Sequence, residues 1–278
     1  MEFVNYSIFY QDLKTHDLEY AARHTRELGF QAVEFLELVP LRETSVCNRY
    51  TAEEARRILD ANGLRVSCFS VGVNLLSGDV DAAREKMLDL VAFAAGVGSK
   101  QIHHTLVPYF HFQGLEPYES VLERILPYAK DIADAARAHG MLCLYEPQGC
   151  YFNGVDGLGG FYERIKSLCP NVGICGDVGN GLFVDCSAKE IYDAFLGEIK
   201  HVHVKDLRVT DTSDPDKTPY VSRGGKYLYD CPIGEGVIDF RYCFEKLKSV
   251  DYDGDISLEI LGDDREILRT LDFFKKMI

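Results

Sequence analysis

Eight times along the 278 residues, a short apolar run gives way to a longer segment of helical periodicity. This alternation limits the fold more than any other feature of the chain. The strands are expected at residues 3–9, 32–36, 65–70, 101–104, 141–146, 172–177, 199–205 and 255–260. The helices are expected at 18–28, 52–62, 82–95, 118–139, 158–168, 188–196, 240–249 and 265–277. Thr51 with Glu54 three residues on is a capping-box start, and Asn62-Gly63 and His139-Gly140 are helix stops. Strands that alternate with helices pair in parallel. Eight such pairs in this length predict a closed (β/α)8 barrel, with an active site at the C-terminal ends of its strands. An open doubly wound sheet competes, but YQDLK at 10–14 lacks the Gly-rich phosphate turn of that fold. With no linker-like stretch, one domain over residues 1–278 is expected. One connection is long: residues 207–239, between strand 7 and helix 7, a length that suits a lid or binding loop.

Side-chain parity then picks out four residues. Glu146 shares a face with Leu144 and Leu142, Asp177 with Cys175 and Gly173, His203 with His201, and Glu259 with Ser257 and Asp255. In the last three of these strands the aliphatic residues point the other way, toward helices. Four consecutive strands thus aim one Asp, Glu or His each into the barrel near its C-terminal end. Singly, each carboxylate can be an ion-pair partner and the histidine a hydrogen-bonded core residue. Together, three carboxylates around one axis repel unless something positive sits among them. One divalent cation resolves this: carboxylates favour Mg2+ or Mn2+, while the imidazole also suits Zn2+ or Co2+. Mn2+ is the expected ion.

Composition removes other classes. A net charge of −14 opposes a general grip on nucleic acid. No apolar stretch approaches a membrane span, and MEFVNYSIFY has no basic lead into an apolar run. Nine cysteines without a Cys-x-x-Cys read as free thiols in a reducing cytoplasm. A Ser/His/Asp hydrolase lacks its Gly-x-Ser-x-Gly.

LYEP at Glu146, GDVGN at Asp177, HVHVKD at His203, PIGEGVIDF at 232–240 and YDGDISLEI at Glu259 carry a family resemblance in their order and spacing. The chain resembles the xylose-isomerase-like TIM-barrel superfamily of sugar isomerases and epimerases. Its relatives include ketose 3-epimerases, hydroxypyruvate isomerase, inosose dehydratase and apurinic endonucleases. The resemblance implies that Glu146, Asp177, His203 and Glu259 bind one divalent metal. It also implies that Glu146 and Glu259 are the catalytic acid/base pair on opposite faces of a bound sugar. Such an enzyme moves a proton next to a carbonyl through a metal-stabilised enediolate.

Among the remaining candidates, His201 lies one step deeper than His203 and reads as support. Lys205 can neutralise the carboxylates, contact a substrate oxygen or be a rim charge. Arg208 follows where several relatives place a substrate-binding arginine, but the Gly-Glu-x-Asn-Arg segment of the ketose epimerases is absent. Asn180 stands where many relatives carry a histidine, and can hydrogen-bond a substrate hydroxyl. Of His103 and His104 one faces inward, and His104 is taken for the substrate contact. Glu34 is a candidate supporting acceptor. Phe69, Tyr109, Phe110 and Phe112 can wall a sugar-sized pocket, and Arg223 with Gly224-Gly225 can hold a phosphate. The few histidines and the acidic charge disfavour a DNA-repair role. The expectation is a cytoplasmic, homo-oligomeric, metal-dependent isomerase or epimerase acting on a small polyhydroxylated carbonyl compound. A dehydratase or lyase on an inosose or keto-sugar is the alternative, with His104 or Lys205 protonating the leaving hydroxyl. A sugar-binding barrel without catalysis ranks third.

Overall fold

A computed structural model describes residues 1–277. Seven strands come first: β1 (Glu2–Asn5), β2 (Ala32–Leu38), β3 (Arg65–Gly72), β4 (Gln101–His104), β5 (Leu142–Tyr145), β6 (Val172–Cys175) and β7 (Ile199–Val204). Then come β8 (Asp206–Thr210), β9 (Tyr220–Val221), β10 (Tyr227–Cys231) and β11 (Asp255–Leu258). Strands β1 to β7 and β11 close a parallel barrel in the order β1-β11-β7-β6-β5-β4-β3-β2. The helices are α1 (Ser7–Thr15), α2 (Leu18–Glu27), α3 (Val46–Arg49), α4 (Ala52–Ala61), α5 (Val80–Gly96), α6 (Tyr118–Ala138), α7 (Gly154–Leu168), α8 (Ala188–Phe195), α9 (Phe240–Ser249) and α10 (Asp264–Lys275). The expected (β/α)8 barrel is the observed fold.

The core lies between sheet and helices. Phe35, Phe69, Ile102, Ile174, Val202 and Ile256 face outward from the strands and pack with Leu59, Ile125, Phe161 and Phe274 of the helices. Each such large side chain contributes about 1.5–3 kcal/mol when fully buried. Thr51 and Glu54 form the expected capping box. Gly63 and Gly140 take φ of 64° and 70° after their helices, a conformation that favours glycine.

Inside the barrel the layers differ. At the N-terminal end Arg65 donates to both carboxylate oxygens of Asp255, at 2.6 and 2.7 Å, and to Glu2 at 2.6 Å. Above it Cys68, Leu144 and Cys175 form a small apolar plug. The polar residues described below occupy the upper part.

Two elements depart from expectation. The first strand ends at Asn5 rather than residue 9, and α1 begins at Ser7. Asn5 Oδ1 accepts from Phe9 N at 3.1 Å, which supports the turn into that helix. The long connection, 207–239, builds a small antiparallel sheet of its own, ordered β8-β10-β9. Asp206 ties that segment to the barrel. Its carboxylate accepts from the backbone N–H of Leu207, Gly234, Gly236 and Ile238.

Candidate active site

Glu146, Lys205 and Glu259 each stand one residue beyond the last residue of β5, β7 and β11, and Asp177 two beyond β6. They therefore crown the barrel at its C-terminal end. His203, still within β7, lies in their midst. Its Nδ1 is 3.4 Å from Glu146 Oε2 and 3.5 Å from Glu259 Oε2. Asp177 Oδ1 accepts from Gly179 N at 2.8 Å and Asn180 N at 2.6 Å, which fixes the carboxylate and turns Oδ2 toward the cluster. Lys205 Nζ lies 2.9 Å from Glu259 Oε1 and donates to Asn180 Oδ1 at 3.1 Å. It also stands 3.2 Å from Asp177 Oδ2, an ion pair without hydrogen-bond geometry.

Charge is unbalanced here. Three carboxylates against one ammonium leave a net charge of −2 when all are ionised. Burial and the neighbouring carboxylates raise the pKa of Asp177 and of Glu259, although Lys205 opposes the rise. Glu259 is the more open of the two, with a third of its side chain in solvent. Burial lowers the pKa of Lys205, but Asp177, Glu259 and Glu146 outweigh it and hold the ammonium charged.

Glu34, fully buried on β2, sits beneath the cluster. Its Oε1 accepts from Ser70 Oγ and from His203 Nε2 at 2.9 Å. Its Oε2 accepts from His201 Nε2 at 2.8 Å and from Ser257 Oγ. Burial pushes its pKa up, yet the charges and hydrogen bonds of His203 and His201 bring it well below the usual carboxylate value. With Nε2 of His203 held by Glu34, Nδ1 is the ring atom that faces Glu146 and Glu259.

The residues fit a divalent cation. Glu146 Oε2, Asp177 Oδ2 and His203 Nδ1 are buried and have no hydrogen-bond partner among the described residues. Ligand-type atoms of Asp177, His203 and Glu259 lie within 4.8 Å of one another, as do those of Glu146, Cys175 and His203. A cation of charge two would cancel the net charge.

A cavity of about 650 Å3 opens over Glu146, His103 and His203, with Leu38, Val73 and Pro108 among its apolar walls. A neighbouring one of about 330 Å3 reaches Lys205, Asn180, Phe183 and Tyr220. Tyr6, Leu36, Gln148 and Glu259 line both. This is ample room for a sugar-sized molecule.

Most of the residues singled out by sequence meet here: Glu146, Asp177, Asn180, His203, Lys205 and Glu259. His201 and Glu34 lie just below, as supports. Others do not. His104 faces the helices, where its Nδ1 donates to Thr105 O at 2.9 Å and its ring meets Tyr145 edge-on. His103 takes the inward position instead, because neighbouring residues of a strand point to opposite faces. Arg208 lies on β8 beside Leu207, which lines the cavity, so alternation turns Arg208 away. It is half-exposed, 3.8 Å from Glu235. Phe69 faces outward, against Phe35 and Phe93. Phe110 lines the second cavity and stacks on Phe183, whereas Phe112 lies under Arg223. Arg223 donates one N–H to Cys150 O, and Gly224 N donates to Asp185.

Sequence reasoning missed Tyr6 and Gln148. Tyr6 is buried, stacks on His203 with ring centroids 5.2 Å apart and lines both cavities. Its signal was hidden by the expectation that the first strand continued to residue 9. Gln148, two residues past Glu146, had no signal beyond its position.

An inosose dehydratase from Serratia proteamaculans is 24% identical over 84% of this chain and 82% of its own length. An L-ribulose-5-phosphate 3-epimerase from Salmonella typhi is 26% identical over 69% of this chain and 62% of its own. A xylose isomerase-like TIM-barrel protein from Mycobacterium smegmatis, solved in complex with magnesium, superposes with a TM-score of 0.73 at 17% identity, over 99% of this chain and 96% of that one. The model of the xylose isomerase-like TIM-barrel family matches residues 22–277, and the chain belongs to that family.

Proposed function

We propose that the protein is a divalent-metal-dependent sugar isomerase or epimerase that shifts a proton on carbon next to a carbonyl. One observation carries this: Glu146 and Glu259 approach His203 Nδ1 within 3.4 and 3.5 Å from β5 and β11, and a sugar-sized cavity opens above them. Glu146, Asp177, His203 and Glu259 would hold the metal. A bound divalent ion would supply the positive charge that polarises a carbonyl and stabilises the oxyanion formed when the neighbouring proton leaves.

The remaining chemistry belongs to the chain. One glutamate takes the carbon-bound proton; the other, across the substrate, returns one for epimerisation, or the first returns it to the adjacent carbon for isomerisation. His103 contacts a substrate hydroxyl in the place expected for His104. Asn180 Nδ2, which has no hydrogen-bond partner among the described residues, donates to a second one. Tyr6 and the apolar wall keep water from the exchanging proton. Mn2+ is the proposed ion, and a small polyhydroxylated carbonyl compound the proposed substrate.

Dehydration is the second reading, favoured by the ammonium of Lys205 beside Glu259 and by the likeness to an inosose dehydratase. A cationic donor there can protonate a departing hydroxyl once the neighbouring carbon has lost its proton.

A panel of ketoses, aldoses and inososes in D2O with Mn2+ tests the proposal. Deuterium is expected next to the carbonyl of at least one compound, and the product separates isomerisation, epimerisation and elimination. Chelation should abolish the exchange, and Glu146→Gln and Glu259→Gln should each slow it by about 100-fold or more. Exchange that survives both substitutions with metal present sinks the assignment of roles. No exchange with any compound sinks the function.

A further inference from the structure

We propose that Glu34 is a positioning residue: it sets which ring nitrogens of two histidines face the cavity, His203 directly and His103 through Ser70. The consequence rests on the metal-site function proposed above, whereas the tautomers follow from hydrogen-bond geometry.

Glu34 pairs with no lysine or arginine among the described residues; its ionic partners are His201 and His203. Two serine hydroxyls and two imidazole Nε2 atoms surround its two oxygens. A carboxylate offers only acceptors, so all four groups must donate to it. For His203 this commits Nε2–H to Glu34. Nδ1 is then the atom turned to Glu146 and Glu259, and it lacks a hydrogen-bond partner among the described residues. A histidine that ligates through one nitrogen while a carboxylate holds the other is oriented as metal ligands commonly are.

Ser70 extends the same logic to a third strand. Its single proton goes to Glu34 Oε1, so its oxygen must accept from His103 Nδ1, 2.9 Å away. Neutral His103 then turns an unprotonated Nε2 into the cavity, 3.5 Å from Glu146 Oε1 and without a hydrogen-bond partner among the described residues. That atom can only accept. The substrate group it suits is a hydroxyl, on the side of the site where Glu146 works. One buried carboxylate thus fixes a metal-facing nitrogen and a hydroxyl acceptor with a single set of hydrogen bonds.

Long-range proton–nitrogen correlation spectra of the 15N-labelled protein with Mg2+, together with calorimetric titration of Mn2+, test this. In the wild type His203 should carry its proton on Nε2 and His103 on Nδ1. His103 protonated at Nε2, or His203 without a proton at Nε2, would overturn the proposal with no variant needed. Glu34→Gln places a donor where an acceptor stood. It should change the nitrogen pattern of His203 and weaken Mn2+ binding about 10- to 100-fold, with Glu34→Asp recovering part of the loss. Ser70→Ala should change the pattern of His103 and leave Mn2+ affinity within about twofold, since the Glu34–His203 bond stays. A folded Glu34→Gln protein that binds Mn2+ as the wild type does also overturns the proposal. If that variant does not fold, the wild-type and Ser70→Ala spectra decide. The expected tautomers and Mn2+ affinity in a protein inert toward every sugar would refute the proposed function and leave the role of Glu34 standing.

Discussion

His103 and His104 show what one position along a strand decides. In β6, β7 and β11 the aliphatic residues mark the helix-facing side, and in β4 Ile102 shares its parity with His104. Applied to β4, the rule that places Asp177, His203 and Glu259 in the barrel selects His103. The four-residue strand holds only one aliphatic marker, which makes its parity easy to misjudge. His104 therefore has a structural job with a measurable signature. Burial pushes its pKa down to about 4, against the opposing hydrogen bond to Thr105 O, whereas an unfolded histidine titrates near 6.5. Between those values the unfolded chain binds a proton that the folded one refuses, so stability falls as pH drops from about 6.5 toward 4. The shift corresponds to roughly 3 kcal/mol at the lower limit. His104→Asn keeps a donor for Thr105 O and removes the titration. Its stability, measured by denaturant unfolding, should vary less over this pH range than that of the wild type, whatever the cost of the lost ring at pH 7. An unchanged slope would show that other groups govern acid sensitivity.

The strand–helix alternation was legible because each element buries an apolar face of fixed period, and that period is written in the sequence. The connection at 207–239 was not. Its strands are short and pair with one another rather than with the barrel, so their pattern is local and mixed with Gly, Pro and Asp. The loss of Arg208 from the site follows from this: a loop residue can turn inward, whereas one on β8 is fixed by alternation opposite Leu207. HVHVKD did hold the element's anchor, in its last residue. Asp206 Oδ2 accepts from Gly234 N and Gly236 N, both at 2.9 Å, and Oδ1 from Leu207 N and Ile238 N. Asp206→Asn replaces one acceptor oxygen with a donor and leaves part-buried N–H groups unpaired, a loss of about 1–3 kcal/mol. It should also speed hydrogen exchange across residues 232–238 while the outer barrel strands stay protected. Gly236→Ala tests the same contact from the other side, because its Cβ would fall 2.1 Å from Asp206 Oδ1 and 2.5 Å from the carbonyl oxygen of Leu207. Uniform protection in both variants would mean that the sheet of β8, β9 and β10 holds the segment without Asp206.

The two ends of the barrel solve one electrostatic problem differently. Each gathers carboxylates near the axis. At the N-terminal end Arg65 supplies a guanidinium that meets Asp255 with two hydrogen bonds and Glu2 with a third, and Ser67 adds another to Asp255. At the C-terminal end Lys205 is one cation among three carboxylates, and buried oxygens of Glu146 and Asp177 have no hydrogen-bond partner among the described residues. The hydrogen bonds that complete the first end are missing at the second, which is where the proposed function puts its ligand. A divalent ion that binds only the folded chain adds about 2.7 kcal/mol at a hundred times its Kd. For a chain near this length that is a rise in Tm of roughly 5–10 °C. Mn2+ added to chelator-treated protein should produce such a rise. Asp177→Asn should reduce it sharply by removing one charge from the cluster. Arg65→Gln alters the opposite end and should lower the starting Tm but keep the metal increment, since distant, unconnected sites contribute independently. Equal increments in wild type and Asp177→Asn would place the ion elsewhere on the molecule. No increment with Mn2+, Mg2+, Co2+ or Zn2+ would mean that the charge at this end is balanced by something other than a metal.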